Sequence, residues 1–277
     1  MTIEAVQRTS PLRGLGSLGK YTLLIVAAFL TLAPVVWTLI TAMSPQNIDT
    51  GAIEFGGGAF ADVFARIPVW LYTWNSALVT LLIVVGQMLS AAMAGYVFAR
   101  FEFRSKKILF MLILATMMVP MQVTIVPVFM LVRGMGLADT LLALIVPALP
   151  TAFGTFLMRQ YFLSLPPELA EAAEIDGAGP WRVFFGVYLP LAAPGLAIVG
   201  ILAFNYHWNE FFRPLIMTIS EQNFTLPLGL VTLQGNLGTG SVATVLAGVI
   251  ISMIPALLVF IFGQKPLREG LTAGAGK

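Results

Sequence analysis

The chain has 277 residues, 58% of them hydrophobic and only 10% charged, with a mean hydropathy of +0.91. Soluble domains carry about 25% charged residues, so this composition describes an integral membrane protein, and a formal net charge of +2 is too small to argue for nucleic acid. The absence of cysteine excludes disulfides, thiolate-ligated zinc and Cys nucleophiles, and a single His, His207, excludes a multi-His metal centre.

Residues 1–20 form a polar segment carrying Arg8, Arg13 and Lys20. Within it Gly14 to Gly19 matches G-x-G-x-x-G, but no strand precedes the match and an apolar run follows. The context a dinucleotide site requires is missing, and the segment reads as a flexible lead-in. Tyr21–Met43 is long enough to span a bilayer and too long for a signal-peptide core, which makes it a retained first helix. Ser44 to Trp70 reads as a loop, with Pro45, Pro68, the glycines Gly56, Gly57 and Gly58, and the acids Asp49, Glu54 and Asp62. A second span covers Leu71 to Phe98, followed by a basic loop with Arg100, Arg104, Lys106 and Lys107. The third, Ile108 to Val132, is interrupted by Pro120 and Pro127, and a small loop from Arg133 to Asp139 leads to the fourth, Thr140 to Met158. A fifth span from Leu191 to Phe212, a Gly-rich loop, a sixth from Val242 to Phe262 and a tail over 264–277 complete the chain. The expected fold class is all-α, with six transmembrane helices over 21–263 and both termini on one side.

Residues 164–190 do not belong in a membrane. Glu168, Glu171, Glu174 and Asp176 fall within nine residues, and one such charge at the bilayer centre already costs about 2.5–3.5 kcal/mol. Pro166 and Pro167 are tolerated in a first helical turn, Glu168 and Glu171 complement the helix dipole, and Gly177 is placed to end the helix. Leu169, Ala172, Ala173 and Asp176 follow the i, i+3, i+4, i+7 spacing and are expected to share a narrow face. Pro180 opens a second short helix on which Trp181, Phe184, Phe185 and Tyr188 repeat that spacing as an aromatic stripe.

Basic residues fix the orientation. Twelve of the fifteen Lys and Arg lie on the side that holds the termini and the acidic loop, leaving Arg66, Arg133 and Arg213 for the other. The positive-inside rule puts the termini and that loop in the cytoplasm.

The pattern Glu171-Ala172-Ala173, three residues, Gly177, nine residues, Val187, one residue, Leu189-Pro190 resembles the EAA loop of ABC-importer permeases, with Val187 where the family usually has Ile. The resemblance extends to the carbohydrate-uptake branch and the second permease of maltose-type importers. It rests there on Pro120-Met121-Gln122, Thr155 to Arg159, Trp208-Asn209-Glu210-Phe211 and Gly270 to Ala275, in that order. It implies that Glu171, Ala172, Ala173, Asp176, Gly177, Trp181, Leu189 and Pro190 couple the chain to a cytoplasmic ATPase dimer. It also implies a second permease that is a different chain, an extracytoplasmic solute-binding protein meeting Gly235 to Gly240, and a place among the lipids of a bacterial or archaeal inner membrane. No G-x-x-x-x-G-K-[ST] loop occurs, so ATP and Mg belong to the partner ATPase, and no cofactor is expected in this chain.

Candidate path residues are polar groups in or near spans. Asn205, Tyr206, Trp208, Asn209 and Glu210 cluster in the fifth. They suit a hydroxyl-rich solute that needs hydrogen bonds and an aromatic platform; equally, they suit an interfacial belt in which Glu210 pairs with Arg213 at i+3. His207 reads as a packing residue. Gln87, Ser90, Gln122 and Thr124 fit either the path or interhelical hydrogen bonding. The rival classes find less support: a carrier driven by an ion gradient would need mid-membrane ion sites, and no span holds an Asp or Lys. A membrane enzyme would need a Ser/His/Asp cluster, an H-E-x-x-H or paired carboxylates, and none occurs.

Overall fold

A computed structural model describes residues 11–44, 55–235 and 240–275, with side chains between Lys20 and Gln264. Every regular element among the described residues is a helix. In chain order these are α1 (Pro11–Ala42), α2 (Gly58–Arg66), α3 (Val69–Arg100), α4 (Lys106–Thr116), α5 (Met121–Gly134) and α6 (Leu141–Ile145, continued as a tighter turn to Ala148). They are followed by α7 (Ala152–Ser164), α8 (Glu168–Ile175), α9 (Pro180–Val183, widening into a π-turn over Phe184–Tyr188), α10 (Leu189–Leu191), α11 (Ala193–Trp208), α12 (Phe212–Met217), α13 (Leu226–Val231) and α14 (Val242–Ala275).

Proline decides which spans are continuous. Lys20–Ala42, Val69–Arg100 and Val242–Gln264 are each long and apolar enough to cross a membrane unbroken. Three further helix pairs qualify only when joined across a bend: α4 with α5 at 102°, α6 with α7 at 40°, and Pro180–Leu191 with α11 at 71°. Pro120 stands at the first break and Pro150 at the second, where a missing amide and the ring prevent the helix from running on. Pro127 and Pro34 sit inside helices without breaking them. The chain is thus a multi-pass integral membrane protein.

Several expectations need correction. The lead-in is not a flexible coil throughout, since α1 is already helical from Pro11 and includes the G-x-G-x-x-G run. The loop after it contains α2, whose Ala59 and Val63 are fully buried. The third span is two helices at a sharp angle, not one kinked helix. α14 runs on to Ala275, so the tail from 264 is helical rather than a separate segment.

α3 is the spine. With 32 residues it is about 48 Å long at 1.5 Å per residue, well beyond a hydrocarbon core of about 30 Å. All three apolar cores include it. Tyr72 joins α3 to α2, α13 and α14; Ala91, Ala92 and Tyr96 join it to α7 and the π-turn; Val79 and Ile83 join it to α5, α6 and α12. Its polar side chains serve backbone that the broken helices leave open. Asn75 Nδ2 donates to Gln222 O and Phe224 O, and Ser76 Oγ accepts from Leu226 N. Gln87 Nε2 donates to Ala148 O and Ser90 Oγ to Leu149 O, both at the α6–α7 break. Without water, each such group left open would cost several kcal/mol.

Close approach of α3 to α7 depends on Gly95. A Cβ there would lie 2.6 Å from Met158 Cβ and 2.8 Å from Arg159 N. Gly95→Val is expected to lower the melting temperature of the detergent-solubilised chain by several degrees, as overpacking by about 1–3 kcal/mol does. Gly134→Ala, with nothing within 4 Å of its site, should leave it unchanged in the same thermal-shift measurement.

Candidate functional site

The acidic loop is closed at both ends by its own sequence. Pro167 precedes α8 and its carbonyl accepts from Ala170 N at 3.0 Å. At the other end Gly177 takes φ +80°, Gly177 N donates to Glu174 O at 3.0 Å, and Ala178 N donates to Ala173 O at 2.9 Å. This is a Schellman closure, and the left-handed φ makes glycine the residue that closes it without strain. Gly179 is extended and Pro180 is the first residue of α9.

One side of the loop is anchored and the other is open. Phe184 and Tyr188 are buried against Tyr96, with ring centroids 4.9 and 5.3 Å away, and Phe162 completes the cluster. Ala170, Ala173, Ala178 and Leu189 pack on the same group, and α8 lies close because its alanines are small. Glu171, Ala172 and Asp176 face outward with Ile175, which is 86% exposed. The narrow face expected from spacing is therefore divided, with Ala173 turned inward and Ala172 and Asp176 outward. The aromatic stripe divides too: Trp181 and Phe185 stack on each other at 6.0 Å in an exposed position while Phe184 and Tyr188 turn inward. The π-turn is the cause, since its wider winding breaks the 3.6-residue register. Pro190 lies in α10, just before the bend at Ala192.

A second polar region lies where α11 ends. A cavity of about 600 Å³ opens between α3, the α6–α7 break and α11, and Gln87, Thr151, Asn205, Tyr206, His207 and Arg213 line it. Behind its wall runs a buried relay. Gln87 Nε2 lies 3.0 Å from His207 Nε2, and His207 Nδ1 lies 2.9 Å from Glu210 Oε2. Glu210 Oε1 pairs with Arg213 Nη2 at 2.9 Å, and Arg213 Nη1 donates to Leu144 O at 2.9 Å. Gln87 Nε2, which also donates to Ala148 O, faces His207 Nε2 as a donor, so the hydrogen bonds orient the ring with Nδ1–H donating to Glu210. The expected Glu210–Arg213 pair forms, and His207 is both packed and on the cavity wall.

Of the candidate path residues, Gln87, Asn205 and Tyr206 share the cavity, and Glu210 supports it through His207 and Arg213. The remaining three lie elsewhere. Trp208 is buried, stacks on Phe204 at 5.6 Å and donates from Nε1 to Ser252 O, so it is core between α11 and α14 and not a platform. Asn209 donates to Asn205 O and lines a separate cavity of about 260 Å³ with Gln234 and Ser252. Gln122 is exposed on α5 and does not line the cavity. Ser90 and Thr124 bond backbone carbonyls. Spacing alone missed Ile175, Asn75 and Ser76. Ile175 had a signal, an apolar side chain four residues after Glu171 and off the alanine face.

Asp139 pins the α5–α6 loop to the segment after α12. It is a non-glycine residue at φ +56°. Its carboxylate accepts from Ile219 N, Ser220 N and Ser220 Oγ, and its carbonyl accepts from Asn223 Nδ2. These bonds, led by that from the Ser220 hydroxyl, hold its pKa far below the usual carboxylate range. Residues 236–239 of the expected binding-protein contact lie outside the described residues.

Comparison with known proteins agrees with this architecture. Residues 87–265 match the family described as binding-protein-dependent transport system inner membrane component. The chain is 33% identical over 263 residues to the lactose transport system permease protein of Rhizobium radiobacter, covering 94% of this chain and 96% of that one. It is 38% identical over 208 residues to the arabinooligosaccharides transport system permease protein of Halalkalibacterium halodurans, covering 75% and 74%. Its fold is similar to a chain of a bacterial ABC transporter involved in the import of alginate, with a TM-score of 0.80 at 23% identity, covering 94% of this chain and 99% of that chain.

Two outcomes follow from these charges. Arg213→Met leaves Glu210 without its cation and is expected to cost about 3–5 kcal/mol. Adding Glu210→Gln to it should recover much of the loss in a denaturant or thermal melt, because no unpaired charge then remains. For Asp139 the folded pKa is depressed, so its contribution is full above the unfolded value of about 3.9 and is lost as pH falls through the folded value. Thermal melts between pH 7 and 2 should show wild-type stability falling once the pH drops below about 4, and Asp139→Asn should start lower and decline less over that acid range.

Proposed function

The chain belongs to the binding-protein-dependent transport system inner membrane component family, the permease subunits of ABC importers, and on that premise we propose that it carries a sugar or sugar-like solute. Its relatives' names support the solute class, being those of lactose and arabinooligosaccharide permeases. The reading places six spans in the inner membrane of a bacterium or archaeon, three continuous and three bent, with both termini in the cytoplasm. A second, different permease chain completes the path, a dimeric ATPase binds ATP and Mg, and an external binding protein delivers the solute. The chain itself catalyses no reaction.

The observation that carries the reading is the outward face of α8. Glu171, Ala172, Ile175 and Asp176 stand exposed on a helix whose other side is fixed to the aromatic cluster of α3 and α7. An exposed isoleucine beside a small alanine and flanked by carboxylates fits a groove that is apolar at its centre and polar at its rim. Closure of the ATPase dimer moves α8, the rigid loop passes the motion to α3 and α11, and the path turns outward. Gln87, Asn205 and Tyr206 offer the solute hydrogen bonds and a ring edge as it passes.

Affinity purification in mild detergent tests this. The wild-type chain is expected to bring down the ATPase and a second permease. Ala172→Arg should keep the second permease and lose the ATPase, together with solute uptake. Full recovery of the ATPase with that variant, and normal uptake, would contradict the assignment.

A further inference from the structure

Arg100, the last residue of α3, lies half-buried at the base of the acidic loop. Its Nη2 donates to Phe162 O and Leu165 O, each at 2.6 Å, closing the carbonyl end of α7. Its guanidinium carbon stands 4.6 Å from the centre of the Tyr188 ring, and Tyr188 is wholly buried. One planar cation thus holds three elements: the end of α3, the end of α7 and the π-turn of the loop. A reciprocal contact runs the other way, since Arg159 of α7 donates from Nε to Phe98 O of α3 at 3.0 Å.

We propose that Arg100 is the positioning residue that passes motion of the loop into α3 and so to the solute cavity. Its other end of action is visible on the same helix. Gln87 lies 13 residues earlier, about 20 Å along the axis, and there it holds both His207 and the α6–α7 break. α3 is unbroken between the two, so a tilt imposed at Arg100 arrives at Gln87. Arg100 Nε and Tyr188 Oη are both buried there without hydrogen-bond partners among the described residues, groups that a second packing can satisfy. Lysine would be a poor replacement, because it lacks the flat fork that reaches two carbonyls while lying on a ring.

The inference rests on α8 docking to an ATPase, and its test separates the two. The chain has no native cysteine, so label found on this chain, separated from its partners after the reaction, reports the exposure of Asn205→Cys in the complete importer in nanodiscs. Maleimide labelling of that site, without nucleotide and with ATP plus vanadate, is compared among wild-type, Arg100→Gln, Arg100→Lys and Tyr188→Leu backgrounds. All are expected to retain the co-purified ATPase. The nucleotide-dependent change in labelling rate should fall by about threefold or more in Arg100→Gln and Tyr188→Leu, the effect of a single residue on a coupling network, and by less in Arg100→Lys. A wild-type change in Arg100→Gln with the ATPase bound would overturn the proposal. Should Arg100→Gln not assemble, Tyr188→Leu decides by the same criterion. Loss of the ATPase from the wild-type background would instead refute docking.

Discussion

A polypeptide bent inside hydrocarbon must find hydrogen-bond partners for the backbone it exposes, and in this chain one straight helix supplies them. α3 contributes Asn75 and Ser76 to the segment before α13, Gln87 and Ser90 to the α6–α7 break, and Arg100 to the end of α7. All are spaced along a helix without an internal proline. The bend at Pro150 is possible because Gln87 and Ser90 of α3 take up carbonyls at the break. The bends in turn create the cavity, since a straight bundle would pack its centre shut.

The same spine ties that cavity to the acidic loop. An eight-residue helix such as α8 is too short to persist in water by propensity alone. It persists by packing Ala170 and Ala173 on a cluster whose aromatic members come from α3, α7 and the π-turn. Anchoring one face so firmly frees the other for a partner. The polar relay at the far end follows a comparable rule. Its charges are paired within the chain, Glu210 with Arg213 and His207, and Gln87, Asn205 and Tyr206 add amide and hydroxyl groups to the cavity wall beside Arg213.

Much of this was legible in the residues. The spacing from Glu171 to Pro190 located the loop, and the glycine that ends α8 was named by its position; the structure adds the φ of +80° that explains it. Hydropathy placed the three unbroken apolar helices and the apolar stretches of the three bent pairs, but it could not separate Pro120, which breaks a helix, from Pro127, which does not. Helical spacing also failed where the winding changes: Phe184 and Tyr188 left the company of Trp181 and Phe185 because a π-turn does not keep a period of 3.6. Trp208 looked like a solute platform because Trp is common at such sites, yet Phe204, one turn earlier on α11, covers its face, and Ser252 of α14 accepts its N–H. The Ser252 contact, 44 residues away, is invisible before the fold is known.

The central claim, that the outward face of α8 is covered by an ATPase, is tested most directly at Ile175. In a chain without native cysteine, Ile175→Cys gives one reactive site on that face. Maleimide should modify it rapidly in the isolated, detergent-solubilised chain and slowly in the complete importer, with protection lost when the ATPase is stripped away. Equal reactivity with and without a bound ATPase would mean that the partner sits elsewhere, and the coupling role given to this helix would be wrong.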